Sequence, residues 1–131
     1  MRKLRKIPSV WDYKAFKELI VEDIEWYEEN GLYNPEDEDL QNISFMQFIW
    51  LEQYDDFIQE GGLTRLYMHL ASLMYEIEHD TVDQRDAHFA FIDLQDFMTG
   101  NFDDLVKPNE RDEVKADAKK VCDYIVQNNL Q

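Results

Sequence analysis

Three histidines, one cysteine and twenty-nine acidic residues are the groups in this sequence that could do chemistry. Glu76 and His79, in the run EIEH, have the E-x-x-H spacing that puts a carboxylate and an imidazole on adjacent helix turns, as di-iron bundles require. Such a centre needs a second pair, and His69 and His88 are preceded at that spacing by Leu66 and Arg85. No metal and no cofactor is therefore expected, and His79 reads as a helix-end residue that complements the C-terminal dipole. General acid/base work needs carboxylates or histidines held in a pocket, and with so many acids no single pair is informative. G-x-S-x-G, the P-loop and C-x-x-C are absent, so no catalysis is expected. Cys122 lies on an apolar stripe and reads as an inert thiol. His69 and His88 flank apolar faces and read as satisfied boundary residues. Asp23 falls between two apolar strips of one helix, Trp11, Ala15, Leu19, Trp26 and Phe16, Ile20, Ile24, Tyr27, and is expected in a solvent groove between them, because a lone buried carboxylate is costly.

Charge is the stronger signal. The chain of 131 residues carries a net charge of −16. Four of its thirteen basic residues sit in RKLRK at positions 2–6, and between Glu18 and Glu60 there are fourteen acidic residues and no basic one. A solvated helix surface ordinarily mixes both signs, since like charges along it repel. DNA, RNA and anionic membrane would be repelled, and a basic protein is the natural complement. A single cysteine allows no intrachain disulfide, MRKLRKI is followed by Pro8 and Ser9 rather than an apolar run, and no segment reaches the roughly 20 apolar residues of a spanning helix. A cytoplasmic setting is expected.

The elements that must position these groups are helical. Residues 1–8 form a basic N-terminal segment, and 9–131 a single all-α domain, a bundle of about five helices with no period-2 alternation. The first helix is predicted from Ser9, with Asp12 completing a capping box, to Asn30-Gly31. The second opens at Ser44 with Gln47 in the same relation and runs to Gly61-Gly62. The third spans about Thr64 to His79, with Leu63, Leu66, Leu70, Leu73, Met74 and Ile77 on its apolar face. The fourth starts near Thr81, with Gln84 completing the box, and ends before Gly100. The fifth opens at Asn109, after Pro108, and turns Val114, Ala118, Val121, Cys122 and Ile125 inward. Tyr33, Leu40, Phe102 and Leu105 could anchor the two longer loops.

On the second helix, Trp50, Leu51, Tyr54, Phe57 and Ile58 make a core face, while Glu52, Asp56 and Glu60 share the opposite face with Phe45 and Ile49. Carboxylates around exposed apolar residues would suit a basic partner, the charges steering and the apolar groups holding. The alternative is that Phe45 and Ile49 pack under the 31–43 loop. The expected partner contacts are Tyr33, Glu36, Asp37, Glu38, Asp39, Phe45, Glu52, Asp55, Asp56 and Glu60.

In size, acidity, lack of cysteine bridges and helical pattern, the chain resembles the small acidic immunity proteins of bacterial toxin systems, such as those of nuclease colicins and contact-dependent growth inhibition. The resemblance is one of whole-chain character, without a shared motif. It implies a protein that binds and neutralises one basic toxin domain, a nuclease by preference, and does no catalysis. Two other classes fit the charge: a DNA mimic that blocks nucleic-acid-binding proteins, and a small helical adaptor whose charge serves solubility.

Overall fold

Asp12 opens the first helix. In the computed structural model, which describes residues 12–31, 33, 34, 36–38, 42–53 and 62–131, its backbone is extended and its side chain accepts the Ala15 N–H at 3.2 Å. Helix α1 occupies Tyr13–Asn30 and ends at Gly31, which takes a φ of 58° and donates its N–H to the Tyr27 carbonyl. Glycine pays no Cβ penalty in that left-handed turn. The start expected at Ser9 is thus corrected: the extended backbone at Asp12 interrupts a helix there, and the residue assigned as the acid of the box is itself the cap.

Helix α2 covers Phe45–Gln53. Its capping box is the one expected, with Gln47 N–H on Ser44 Oγ at 3.1 Å and Ser44 N–H on Gln47 Oε1 at 3.2 Å. The predicted continuation toward Gly61 lies outside the described residues, and Gly62 is the first residue of the next helix rather than a stop. That helix, α3, runs over Gly62–Glu78 and closes with Asp80 at a φ of 55° and the Thr81 N–H on the Glu76 carbonyl. Helix α4 (Gln84–Met98) is capped by Asp83, not Thr81, through the Arg85 N–H at 2.8 Å. A 3-10 turn at Asp103–Leu105 leads to α5 (Arg111–Gln127), two residues later than expected from Asn109.

The described residues contain five α-helices and no strand, an all-α bundle, and none of its helices is long and apolar enough to cross a membrane. Helix α3 is the central member, packing on α1, α4 and α5, while α2 packs on α1. Its apolar surface is wider than the single face predicted, because Tyr67, Met68 and Ala71 are buried together with Leu66, Leu70 and Leu73. Val114, Ala118, Val121 and Ile125 of α5 turn inward as expected, with Cys122 half-buried at their edge. Tyr13 ties the two chain-distant helices: its ring lies 5.0 Å from that of Tyr67, and its hydroxyl donates to Asp117 Oδ2 at 2.7 Å.

Candidate functional site

Glu18, Glu22, Glu25 and Glu29 recur at helical spacing along α1, and all four are exposed. They form one stripe about 16 Å long, at 1.5 Å of rise per residue. Packing on α2 and α3 directs the other face of α1 inward and leaves this one to solvent. Between α1 and α3 runs a groove of about 420 Å3, with Val21, Met74 and Tyr75 supplying apolar surface, Glu18, Glu22 and Glu78 carboxylates, and Lys17, itself bound to Glu113 and Asp117, its cation. Burial, followed by the charges of Glu28 and Glu25, raises the Tyr75 phenol above its ordinary value, and the His79 ring stacks on it at 3.9 Å.

The charge order of α1 is inverted with respect to its own dipole. Lys14 and Lys17 stand in the first two turns, whereas Glu28 and Glu29 stand in the last, where no basic residue accompanies them. Backbone carbonyls at a helix C-terminus favour cations and disfavour carboxylates, by about 0.3–1 kcal/mol for each exposed charge. Several cations of the bundle are bound elsewhere: Lys17 to Glu113 and Asp117, Arg65 to Asp93, Arg85 to Asp83, Lys115 to Asp103 and Lys119 to Asp123.

The residues expected to touch a partner are distributed differently from one another. Glu36, Asp37 and Glu38 are exposed just beyond the C-terminal end of α1, and Asn34 shapes this turn by accepting the Glu36 N–H on its side chain. Tyr33 donates its hydroxyl to the Ile43 carbonyl at 2.6 Å, and its ring lies 5.6 Å from those of both Phe45 and Phe48. Phe45 is half-buried beside that ring, as the loop-packing alternative has it, and Ile49 is fully buried in the core. Glu52 accepts the Tyr27 hydroxyl at 2.5 Å. Asp39, Asp55, Asp56 and Glu60 lie outside the described residues, as do Leu40, Tyr54, Phe57 and Ile58. Trp50 is buried as expected, but Leu51 is 41% exposed: α2 turns Trp50 toward α3, where its indole N–H reaches Ser72 Oγ at 3.1 Å, and leaves Leu51 at the edge.

Four polar groups are more deeply placed than their sequence neighbourhood suggested. Asp23 is buried, not in a solvent groove: it sits beside Phe16, Ile20, Ile24 and Tyr27, the strip that packing buries, whereas of the other strip Leu19 is buried and Ala15 is exposed. Glu76 is buried too. Its Oε1 accepts the Asp83 N–H at 3.1 Å, while His79 turns to the Tyr75 carbonyl, so the E-x-x-H pair diverges. No cluster of three or more potential metal ligands occurs among the described residues. Burial and then the charge of Asp86 push the Glu76 carboxyl up to about 10. His69, 5% exposed, points Nε2 at Asp93 Oδ2 across 3.3 Å, and Arg65 grips the same carboxylate through Nε at 2.6 Å and Nη2 at 3.2 Å. Burial opposes ionisation of Asp93, yet the hydrogen bonds from His69 and Arg65 hold it below the ordinary aspartate range. The only sequence signal for this triad was His69 beside Leu66 and Leu73. Cys122 is pushed up to about 11 by burial, then by Asp123, which disfavours the reactive thiolate.

The chain matches no family model, and no curated protein or solved structure matches it.

Proposed function

We propose that this protein is an inhibitor that binds a basic partner protein through the outer face of α1, acting in the cytoplasm as small acidic immunity proteins do against a nuclease toxin domain. The observation that carries the reading is the stripe of Glu18, Glu22, Glu25 and Glu29, continued by Glu28 into a helix end whose dipole opposes it. A helix end that carries carboxylates against its own dipole, at a cost to stability, fits a surface selected for what it meets. A nuclease must be basic to hold a polyanion, so a row of carboxylates can take the place of the phosphates it grips. The α1/α3 groove offers Tyr75 and Met74 beside those charges, which supplies holding contacts as well as steering. Glu36, Asp37 and Glu38 extend the field past the helix end.

The test is association with the basic product of an adjoining reading frame, followed by stopped flow at two ionic strengths. Reversing Glu18, Glu22 and Glu25 to lysine is expected to slow association by about tenfold or more and to flatten its salt dependence. Reversal of Asp123 on α5, already paired with Lys119, is the control and should change little. Equal losses in both variants would reduce the α1 stripe to a solvated face. Tight binding to several unrelated DNA-binding proteins would instead favour the DNA-mimic reading.

A further inference from the structure

The two walls of the α1/α3 groove carry the same pair of chemistries. From α1 come the aliphatic Val21 and the carboxylates of Glu18 and Glu22; from α3 come Met74 and Tyr75 and, at the last residue of the helix, Glu78. Glu18 and Glu22 stand one turn apart, with about 5–6 Å between their Cβ atoms. The three acidic residues are exposed, whereas Val21, Met74 and Tyr75 are half-buried, so the apolar groups lie deeper than the acids. Lys17, at the same groove, is held by Glu113 and Asp117 of α5 at 3.2 and 3.0 Å, which leaves the described lining net negative.

Charge selects the occupant. The phenol of Tyr75 is raised by burial and then by Glu28 and Glu25, which do not line the groove, so the negative field at this ring is wider than the lining itself. An anion would be repelled, and an uncharged group would draw nothing from the acidic rim. A cation is drawn by the carboxylates and by the aromatic ring alike. Between the two cationic side chains the apolar floor discriminates. The lysine ammonium is strongly hydrated and would shed that water against Met74 and Tyr75. A guanidinium is more weakly hydrated, stacks on aromatic rings and spreads five N–H donors in one plane, so it can reach carboxylates on both walls while its faces rest on apolar groups.

We infer that the groove is an arginine socket: the guanidinium of an arginine on the basic partner enters between α1 and α3, lies against Met74 and Tyr75, and donates to the Glu18–Glu22 pair on one wall and to Glu78 on the other. The socket presupposes that the α1 face meets a basic partner, as proposed above. It adds which side chain of that partner makes the holding contact, and it brings Glu78 of α3 into the interface.

Three capped tripeptides provide the test, with arginine, lysine or citrulline between two glycines, citrulline being the uncharged counterpart of arginine. Titrated into the full-length protein and followed by NMR, the arginine peptide is expected to shift the Val21 and Met74 methyls and the Tyr75 ring saturably. It should bind about threefold or more tighter than the lysine peptide and about tenfold or more tighter than the citrulline peptide. Glu78→Lys, at an exposed helix end where the dipole favours a cation, should weaken the arginine peptide by about tenfold without lowering the thermal unfolding midpoint. Asp104→Lys, an equal reversal at an exposed residue outside the groove, should change it by less than about twofold. Absence of saturable shifts at the groove, a lysine peptide that binds as tightly, or equal losses in the two variants would overturn the socket. The inhibitor function fails separately. A partner slowed by reversal of Glu18, Glu22 and Glu25, with no preference for arginine in the groove, removes the socket alone. Arginine bound there by a protein whose α1 reversals leave association unchanged supports the socket and removes the inhibitor function.

Discussion

Glu76 and Asp86 bury their carboxyl groups against each other where α3 turns into α4. Glu76 Oε1 receives the Asp83 N–H and Asp86 Oδ1 receives the Ser44 hydroxyl at 2.6 Å, so the pair also fastens the N-terminus of α2. The remaining oxygens, Glu76 Oε2 and Asp86 Oδ2, have no donor among the described residues, and a proton shared between the two carboxyl groups would satisfy both. They line a cavity of about 180 Å3, shared with Tyr75, Asp83 and Glu28, and the nearby Arg85 is engaged by Asp83 at 2.8 Å.

This pair makes stability depend on pH in a definite direction. Burial, then Asp86, raises Glu76 to about 10, above the ordinary 4.5 of the unfolded chain, and burial raises Asp86 as well. Between those values the folded state binds more protons than the unfolded state. The contribution is fully present below the unfolded value and is lost as pH climbs toward the folded one, at about 1.4 kcal/mol per pH unit for each extra proton the folded state holds. Asp83, held low by Arg85 at the same corner, works the other way only under acid conditions. Urea unfolding from pH 5 to 9 should therefore show declining stability, and Glu76→Gln, which keeps an acceptor for Asp83 and gives Asp86 a permanent donor, should flatten the decline. Parallel curves for the two proteins would refute the shared proton.

Glu110 caps a helix other than its own. It stands at the N-terminal boundary of α5, makes no side-chain cap there, and accepts the Tyr13 N–H at the start of α1 across 2.6 Å. Glu110→Ala leaves that buried donor without a partner and is expected to cost about 1–3 kcal/mol of unfolding free energy. Glu110→Gln retains an acceptor and should cost markedly less. Equal midpoints for the two variants in denaturant would show that the bond contributes nothing.

Periodicity made the helices legible, and short-range capping made some ends legible: Ser44 with Gln47 and Gly31 act as their spacing indicates. The missed starts share one physical cause. Asp12 and Asp83 each outcompeted a hydroxyl residue placed two or three positions earlier, and a run of polar residues offers several caps among which sequence does not choose. The acidic stretch from Glu18 was visible at once, but its division into a buried Asp23 and an exposed stripe required knowing that α2 and α3 cover two sides of α1. Glu76–Asp86 and His69–Asp93–Arg65 were not legible at all. The partners that face each other across α3 and α4 are ten to twenty-eight residues apart, and only the packing of the two helices brings them together.

Tyr27 joins α1 to α2 through a polar chain inside the bundle. Its hydroxyl donates to Glu52 Oε1 at 2.5 Å and accepts the Gln53 side-chain N–H at 2.8 Å; burial and the Glu52 bond raise its phenol well above the usual tyrosine value. Tyr27→Phe should destabilise the fold by about 1–3 kcal/mol, because Gln53 is buried and would lose an acceptor. Glu52→Gln should show a coupling of about 0.5–3 kcal/mol to it in a double-mutant cycle. Strict additivity would mean that Glu52 is an ordinary surface acid despite the short contact.

The inverted charge order of α1 sets stability and binding against each other at one residue. Glu29 is exposed in the last turn, next to carbonyls that favour a cation. Glu29→Lys should therefore raise the unfolding free energy by about 0.3–1 kcal/mol at low salt, more than a substitution at an arbitrary surface site would. Added salt should narrow that gain, since the same ions that screen the helix end also relieve the self-repulsion of a −16 chain and raise the melting temperature of the parent protein. If the stripe receives a basic partner, the stabilised variant should associate with it more slowly, while Glu29→Gln falls between the two in both properties. A variant that is more stable and binds unchanged would leave the dipole argument intact and remove Glu29 from the interface. One that is no more stable would show that the carboxylate at this helix end is compensated within the fold, and the strain taken here as the mark of a functional surface would be absent.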